Sequence, residues 1–205
     1  MSQLVNNLIK DGYLKSDLII EAFDNISRIE FVPDDLELEA EADVTLPIGF
    51  GQTISQPSVV AFMLELLAPQ KGQKIMDVGS GSGWTTALLS HIVGKKGKVI
   101  ALEIIKELSE FGRNNADKYG FVKNEIAQFH NIDGSKGFSE QAPFDAILVS
   151  AVADEIPVAL KNQLKIGGKM VIPVRNSIIY LERESEDKFF KEEFPGFSFV
   201  PLIIK

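Results

Sequence analysis

The stretch Lys74-Ile-Met-Asp-Val-Gly-Ser-Gly-Ser-Gly-Trp-Thr-Thr-Ala-Leu-Leu89 admits few folds. Ile75, Met76 and Val78 read as a buried strand, and Gly79, Gly81 and Gly83 turn the chain. In Thr85–Val93, Ala87, Leu88, Ile92 and Val93 then recur at helical spacing. A strand, a glycine turn and a helix N-terminus together make a binding site. Glycine lets the backbone approach a ligand, and the free N–H groups of the first helical turn favour polar or anionic groups. About twenty residues on, Lys98-Val-Ile-Ala-Leu-Glu103 reads as a second strand ending in a carboxylate. In βαβ units an acid at this distance accepts hydrogen bonds from the ribose hydroxyls of a nucleoside.

A dinucleotide site of the G-x-G-x-x-G type needs glycine at position 84, which is Trp84. The pattern present, Asp77-x-Gly79-x-Gly81-x-Gly83, resembles instead the first motif of the Rossmann-like methyltransferases that use S-adenosylmethionine. That cofactor has no pyrophosphate but carries a carboxylate, an ammonium and a ribose. A glycine turn that merely connects two elements is the plainer alternative, and the spacing of Glu103 argues against it. Trp84 reads as packing at the helix start.

Composition narrows the chemistry. The 205 residues suit one domain, with residues 1–45 as a helical appendage to a core at 46–205. Without cysteine there is no disulfide, thiolate metal site or cysteine nucleophile. His91 and His130 are the only histidines, which makes a metal site or a histidine base a poor expectation. A net charge of −8 argues against a nucleic-acid partner. No run approaches the roughly 18 apolar residues of a membrane span, and no signal peptide is evident. A cytoplasmic monomer is the default expectation.

Leu4–Leu14 and Asp17–Ile26 read as amphipathic helices, the second capped by Ser16. Arg28–Pro33 reads as an extended link, and Asp34–Asp43 as a solvated acidic run without chemistry. Leu46–Pro57 reads as an apolar loop packed over something, followed by a helix at Ser58–Leu67 with Val59, Met63, Leu66 and Leu67 inward. Strands at 74–78, 98–103, 125–130, 145–150 and 169–174 alternate with helices near 84–93, 105–118 and 157–164. This alternation predicts an α/β fold: a doubly wound, mostly parallel sheet with helices on both faces. Ile178–Arg183 and Phe197–Ile204 are expected as antiparallel late strands.

Leu46-Pro-Ile-Gly-Phe-Gly-Gln-Thr-Ile-Ser-Gln-Pro57 is similar to the signature of the protein-L-isoaspartate O-methyltransferases. The resemblance extends through Asp77–Trp84, Asp133-Gly134, Ala142–Ser150, Ile156–Leu160, Gln163-Leu164, Gly167–Val174 and Phe199–Leu202. It implies a Rossmann-like fold and S-adenosylmethionine as cofactor. The reaction it implies is esterification of isoaspartyl carboxylates in damaged proteins or peptides. A methyltransferase with another small acidic acceptor, or a homologue that binds the cofactor without catalysis, remain the alternatives.

By the same resemblance, Ser55 is the active-site serine. No base stands near it in the sequence, so it reads as a hydrogen-bond donor to the acceptor carboxylate, or more plainly as a helix N-cap. Thr53, Ile54 and Ser55 would wall the substrate on one side, with Ser150, Ala151 and Val174 opposite. The cofactor would meet Gly79, Ser80, Gly81, Ser82, Glu103 and Ile104, with Asp133 and Gly134 at the adenine. Asp77 would bind the ammonium or orient the turn. Two departures stand out. The family's Pro-Val-Gly turn is Pro173-Val174-Arg175 here, and a glutamine of the family aligns with Ile179. Arg175 is expected either to clamp an acidic acceptor or to pair with Glu182 or Glu184 at the surface.

Overall fold

The computed structural model covers residues 1–205. Two helices, α1 (Gln3–Lys10) and α2 (Asp17–Asn25), open the chain. A hairpin of β1 (Leu46–Gly49) and β2 (Gln52–Ile54) leads into α3 (Pro57–Leu67). Then follow β3 (Lys74–Val78), α4 (Trp84–Val93), β4 (Lys98–Leu102), α5 (Lys106–Asp117), β5 (Ala127–His130) and β6 (Phe144–Val149). The chain finishes with α6 (Val158–Asn162), β7 (Leu164–Val174), β8 (Ser177–Arg183) and β9 (Phe189–Pro195). The seven-stranded sheet has the order β5-β4-β3-β6-β7-β8-β9. Its first five strands are parallel, and β8 and β9 are added antiparallel. The order reverses at β3, which lies between β4 and β6, and a crevice opens at such a switch point beyond the strand C-termini.

Period-two alternation sorts the strand side chains between two cores. Ile75, Val99, Ala146, Leu148 and Val171 join α1–α5 on one face. Met76, Val78, Ile100, Leu102, Ile147, Val149 and Met170 face the other side. That second face is covered thinly, by Leu160 of α6, Phe138 and Ile156. Helices do lie on both faces, but five of the six are on one of them.

Several local expectations are corrected. The first helix stops at Lys10 because Gly12, at φ +77°, turns the chain so that the Gly12 and Tyr13 N–H groups close on Ile9 and Leu8. Ser16 makes no cap bond; its hydroxyl donates to Glu65 of α3 at 2.6 Å, fastening α2 to α3. Arg28–Phe31 is a 3-10 turn and not an extended link. The signature loop is a hairpin. On α3 the buried residues include Val60, Ala61, Met63, Leu64 and Leu67, while Val59 and Leu66 are only half-buried. The last strand is Phe189–Pro195, not 197–204. It is an edge strand whose Lys191, Glu192 and Glu193 are exposed, so no apolar alternation marked it in the sequence. The segment 197–204 instead crosses the strand ends, with Val152 N–H donating to Val200 and Leu202 N–H to Val152.

The acidic run is not inert. Asp43 accepts from the Ser58 N–H at 2.8 Å and from Gln56 Nε2 at 3.1 Å, and so caps α3 from a distant segment. Asp43→Ala should therefore lower stability by about 1 kcal/mol, with Asp43→Asn closer to wild type. Urea unfolding checks this, and an unchanged midpoint for the alanine variant contradicts it.

Candidate active site

The glycine turn holds itself by backbone bonds: Gly79 and Ser80 N–H donate to Leu102, and Gly83 N–H donates to Ser80. Gly79, Gly81 and Gly83 all have positive φ, between +50° and +83°. At Gly83 a side chain is also excluded by space, since an added Cβ would meet the Gly112 carbonyl oxygen at 2.5 Å. Gly112 of α5 has the reciprocal constraint, with Gly81 O at 2.7 Å. Helix α5 thus presses backbone to backbone on the turn, a contact that depends on both glycines.

Beside this turn lies a cleft lined by both polar and apolar residues. Its floor is Gly79, Ser80, Gly81 and Ser82 with Glu103, Ile104 and Gly134. Its walls are Thr53, Ile54 and Ser55 on one side and Ser150 and Ala151 on the other. Glu103 is 6% exposed. One carboxylate oxygen accepts from Gly81 N–H and the other from Ile105 N–H, both at 2.9 Å. Each oxygen retains a free lone pair for a further donor.

Asp77 lies under the turn and not in the cleft wall. One of its oxygens accepts from Thr85 at 2.8 Å and Thr86 at 2.6 Å, and the other has no partner. Of the two roles expected for Asp77, this geometry carries the orienting one. Burial pushes its carboxyl up to about 6, against the two threonine bonds, and Glu103 adds to the rise. Asp133 is also outside the wall, although its neighbour Gly134 lines the cleft. Its Oδ1 caps Ser135 and its Oδ2 accepts from the Lys205 N–H at 3.0 Å. Burial alone would raise this carboxyl, but bonds from Ser135, Lys205 and Lys136 hold it below the usual carboxylate range. Trp84 is 2% exposed and packs edge-on against Phe23, as expected of a packing residue, and it also lines the cleft.

A second cleft opens beside the first. It is lined by Thr45, Gln56, Ser198 and Phe199, and it shares Thr53, Ser55, Ser150, Val200 and Pro201 with its neighbour. No charged side chain lines it. Ser55 does not cap α3, a place taken by Asp43. Val174 pairs with Ala153 behind the Ser150 wall and lines neither cleft. Arg175 is exposed, at φ +55°, in the β7–β8 turn, and also lines neither cleft. It has no ion pair with Glu182 or Glu184; its charge is felt by Glu193 on β9. The positive φ explains a glycine at this position better than the space it leaves. Ile179 is buried in the sheet core, away from the cleft.

Sequence reading missed Ile48, Gln52, Val60 and Ile105, and above all Val200–Ile203, which line the cleft from the crossing segment. Its only signal in the sequence is the apolar run from Phe197 to Ile204, a pattern that a strand shares.

The donor set fits S-adenosylmethionine. The floor offers a buried carboxylate, and of the N–H groups from Gly79 to Gly83 only that of Ser82 has no acceptor within the protein. Ser80 Oγ and Trp84 Nε1, on two lining residues, are buried without partners. Such groups are costly unless something bonds them.

Asp77 sets a pH dependence. An unfolded aspartate titrates near 3.9 and the folded one near 6, so in that window the folded state keeps a proton the unfolded chain has lost. The Asp77 contribution to stability therefore falls as pH rises from about 4 to about 6 and stays low above it. Asp77→Asn should remove this fall, seen as a smaller difference in urea midpoint between pH 4.5 and pH 7. An identical difference in both proteins contradicts it.

The family described as protein-L-isoaspartate(D-aspartate) O-methyltransferase matches the chain over residues 1–205. A protein-L-isoaspartate O-methyltransferase of Methanopyrus kandleri is 44% identical, covering 98% of this chain and 90% of its own. One of Methanothermobacter thermautotrophicus is 39% identical, covering 99% and 94%. Among solved structures, a Plasmodium falciparum protein described as a putative member of the same family, in complex with S-adenosyl-L-homocysteine, superposes with a TM-score of 0.88. It is 25% identical, with 98% of this chain and 96% of that one covered. With the signature hairpin, the glycine turn and the Glu103 floor in place, this chain belongs to the protein-L-isoaspartate O-methyltransferase family.

Proposed function

We propose that the chain esterifies the free carboxylate of L-isoaspartyl residues in proteins or peptides, using S-adenosylmethionine. The observation that carries this is the seam between the two clefts. Thr53, Ser55 and Ser150 line both, so a cofactor in one and an acceptor in the other would meet there.

The bound cofactor supplies an electrophilic methyl group on a sulfonium. The acceptor carboxylate is already ionised at neutral pH, so no general base is needed. This matches a seam with neither histidine nor cysteine. Ser55 donates a hydrogen bond that orients the carboxylate, with Thr53 and Ser150 beside it. These donors are neutral, and so hold an anion without quenching it as a cation would. Glu103 would receive the ribose hydroxyls, Gly134 would lie on the adenine side, and the crossing segment at Val200–Ile203 would exclude water. Alignment of this kind is worth about 7–11 kcal/mol of a barrier. The resulting methyl ester carries methoxide as its leaving group, so the next amide nitrogen can attack the ester carbonyl, expel methanol and close a succinimide that water reopens partly to aspartate.

An isoaspartyl peptide should yield base-releasable methanol and its aspartyl twin should not. Ser55→Ala should lower kcat by roughly tenfold to 150-fold, the loss of one hydrogen bond to a charged group, while affinity for S-adenosyl-L-homocysteine holds within twofold. Equal methanol from both peptides would overturn the acceptor, and an unchanged kcat would overturn the role of Ser55.

A further inference from the structure

Arg28 is 3% exposed and has no carboxylate within ion-pair distance. Its guanidinium is spent on backbone carbonyls. Nη1 donates to Ala40 at 3.1 Å and Ala42 at 3.2 Å, and Nη2 donates to Val44 at 2.8 Å and Ser55 at 3.1 Å. The same group lies 5.4 Å from the centre of the Trp84 ring. A buried cation matched only by neutral oxygens is an expensive arrangement. Burial pushes its pKa down to about 10, partly offset by the field of Asp43. A brace for the N-terminal segment alone could be built from neutral donors. The planar fork does something they cannot, which is to hold several converging acceptors at fixed angles.

What converges there is the back of the reaction site. The Ser55 carbonyl is held by Arg28, while Gln56 and the Ser58 N–H are held by Asp43, so the backbone carrying Ser55 is fixed from behind over four residues. Trp84, at the head of α4, lines the cofactor cleft, and Arg28 lies against it. Arg28 itself lines neither the cofactor cleft nor the second cleft. We infer that Arg28 is a positioning residue for methyl transfer, setting the place of Ser55 relative to the cofactor turn from behind both walls. The inference rests on the reading of Ser55 as the group that orients the acceptor.

A double-mutant cycle with Arg28→Lys and Ser55→Ala tests it, using the full chain, an isoaspartyl peptide and a temperature well below each variant's melting point. Lysine keeps the charge but cannot span four carbonyls. Arg28→Lys should lower kcat about tenfold, with the peptide KM and the affinity for S-adenosyl-L-homocysteine held within twofold. In the Ser55→Ala background the same change should cost less than twofold. If Arg28→Lys lowers kcat equally in both backgrounds, or lowers only the melting temperature, Arg28 does not act through Ser55. If Ser55→Ala alone leaves kcat unchanged, the reading of Ser55 fails, and the inference with it. Should Arg28→Lys not fold, Asp43→Ala takes its place in the cycle. It loosens the same backbone and should lower kcat about threefold only when Ser55 is present; an effect independent of Ser55 overturns the inference.

Discussion

The site depends on one buried carboxylate that has no cation. Glu103 follows β4 directly, and its two oxygens take the N–H groups of Gly81 and Ile105. Its own carbonyl accepts from Asn131, which ties in the end of β5. A buried carboxylate is tolerated only where hydrogen bonds replace water, and these are charge-assisted bonds to backbone. They lock the glycine turn of β3 to the C-terminal end of β4, and so define the floor on which a ligand rests.

Other constraints are arranged around that floor. The backbone contact of Gly83 with Gly112 sets how closely α5 approaches the turn. Asp77 holds the first turn of α4 through Thr85 and Thr86. The signature hairpin and the crossing segment form the roof, the latter fastened through Val152 and through Asp133 to Lys205. Catalysis asks for little beyond this. A carboxylate nucleophile and a sulfonium electrophile need alignment and a dry place to meet.

The parallel half of the sheet was legible because strands covered on both faces are apolar throughout and are punctuated by glycine turns. β3 and α4 have the boundaries their sequence shows. Two of the parts that escaped have partners distant in sequence. Asp43 looked like part of a solvated run until α3 came to lie on it. Arg28 looked like a linker residue because its four acceptors are carbonyls, which no side-chain pattern announces. β9 is an exposed edge, and its charges hid it. Arg175 could be a clamp or a surface partner of Glu182 or Glu184 by its charge; in the structure it is exposed, in a turn with positive φ, and is neither.

The central claim is that Glu103 serves both the turn and the ligand. The most direct measurement is calorimetric titration of S-adenosyl-L-homocysteine into Glu103→Gln beside the wild type, with folding checked by near-ultraviolet circular dichroism. Glutamine keeps the shape but sets an NH2 group against an N–H donor and removes the charge. The predicted result is a folded protein whose affinity is weaker by about 1.5–3 kcal/mol. A folded variant that binds within twofold of wild type would contradict the account.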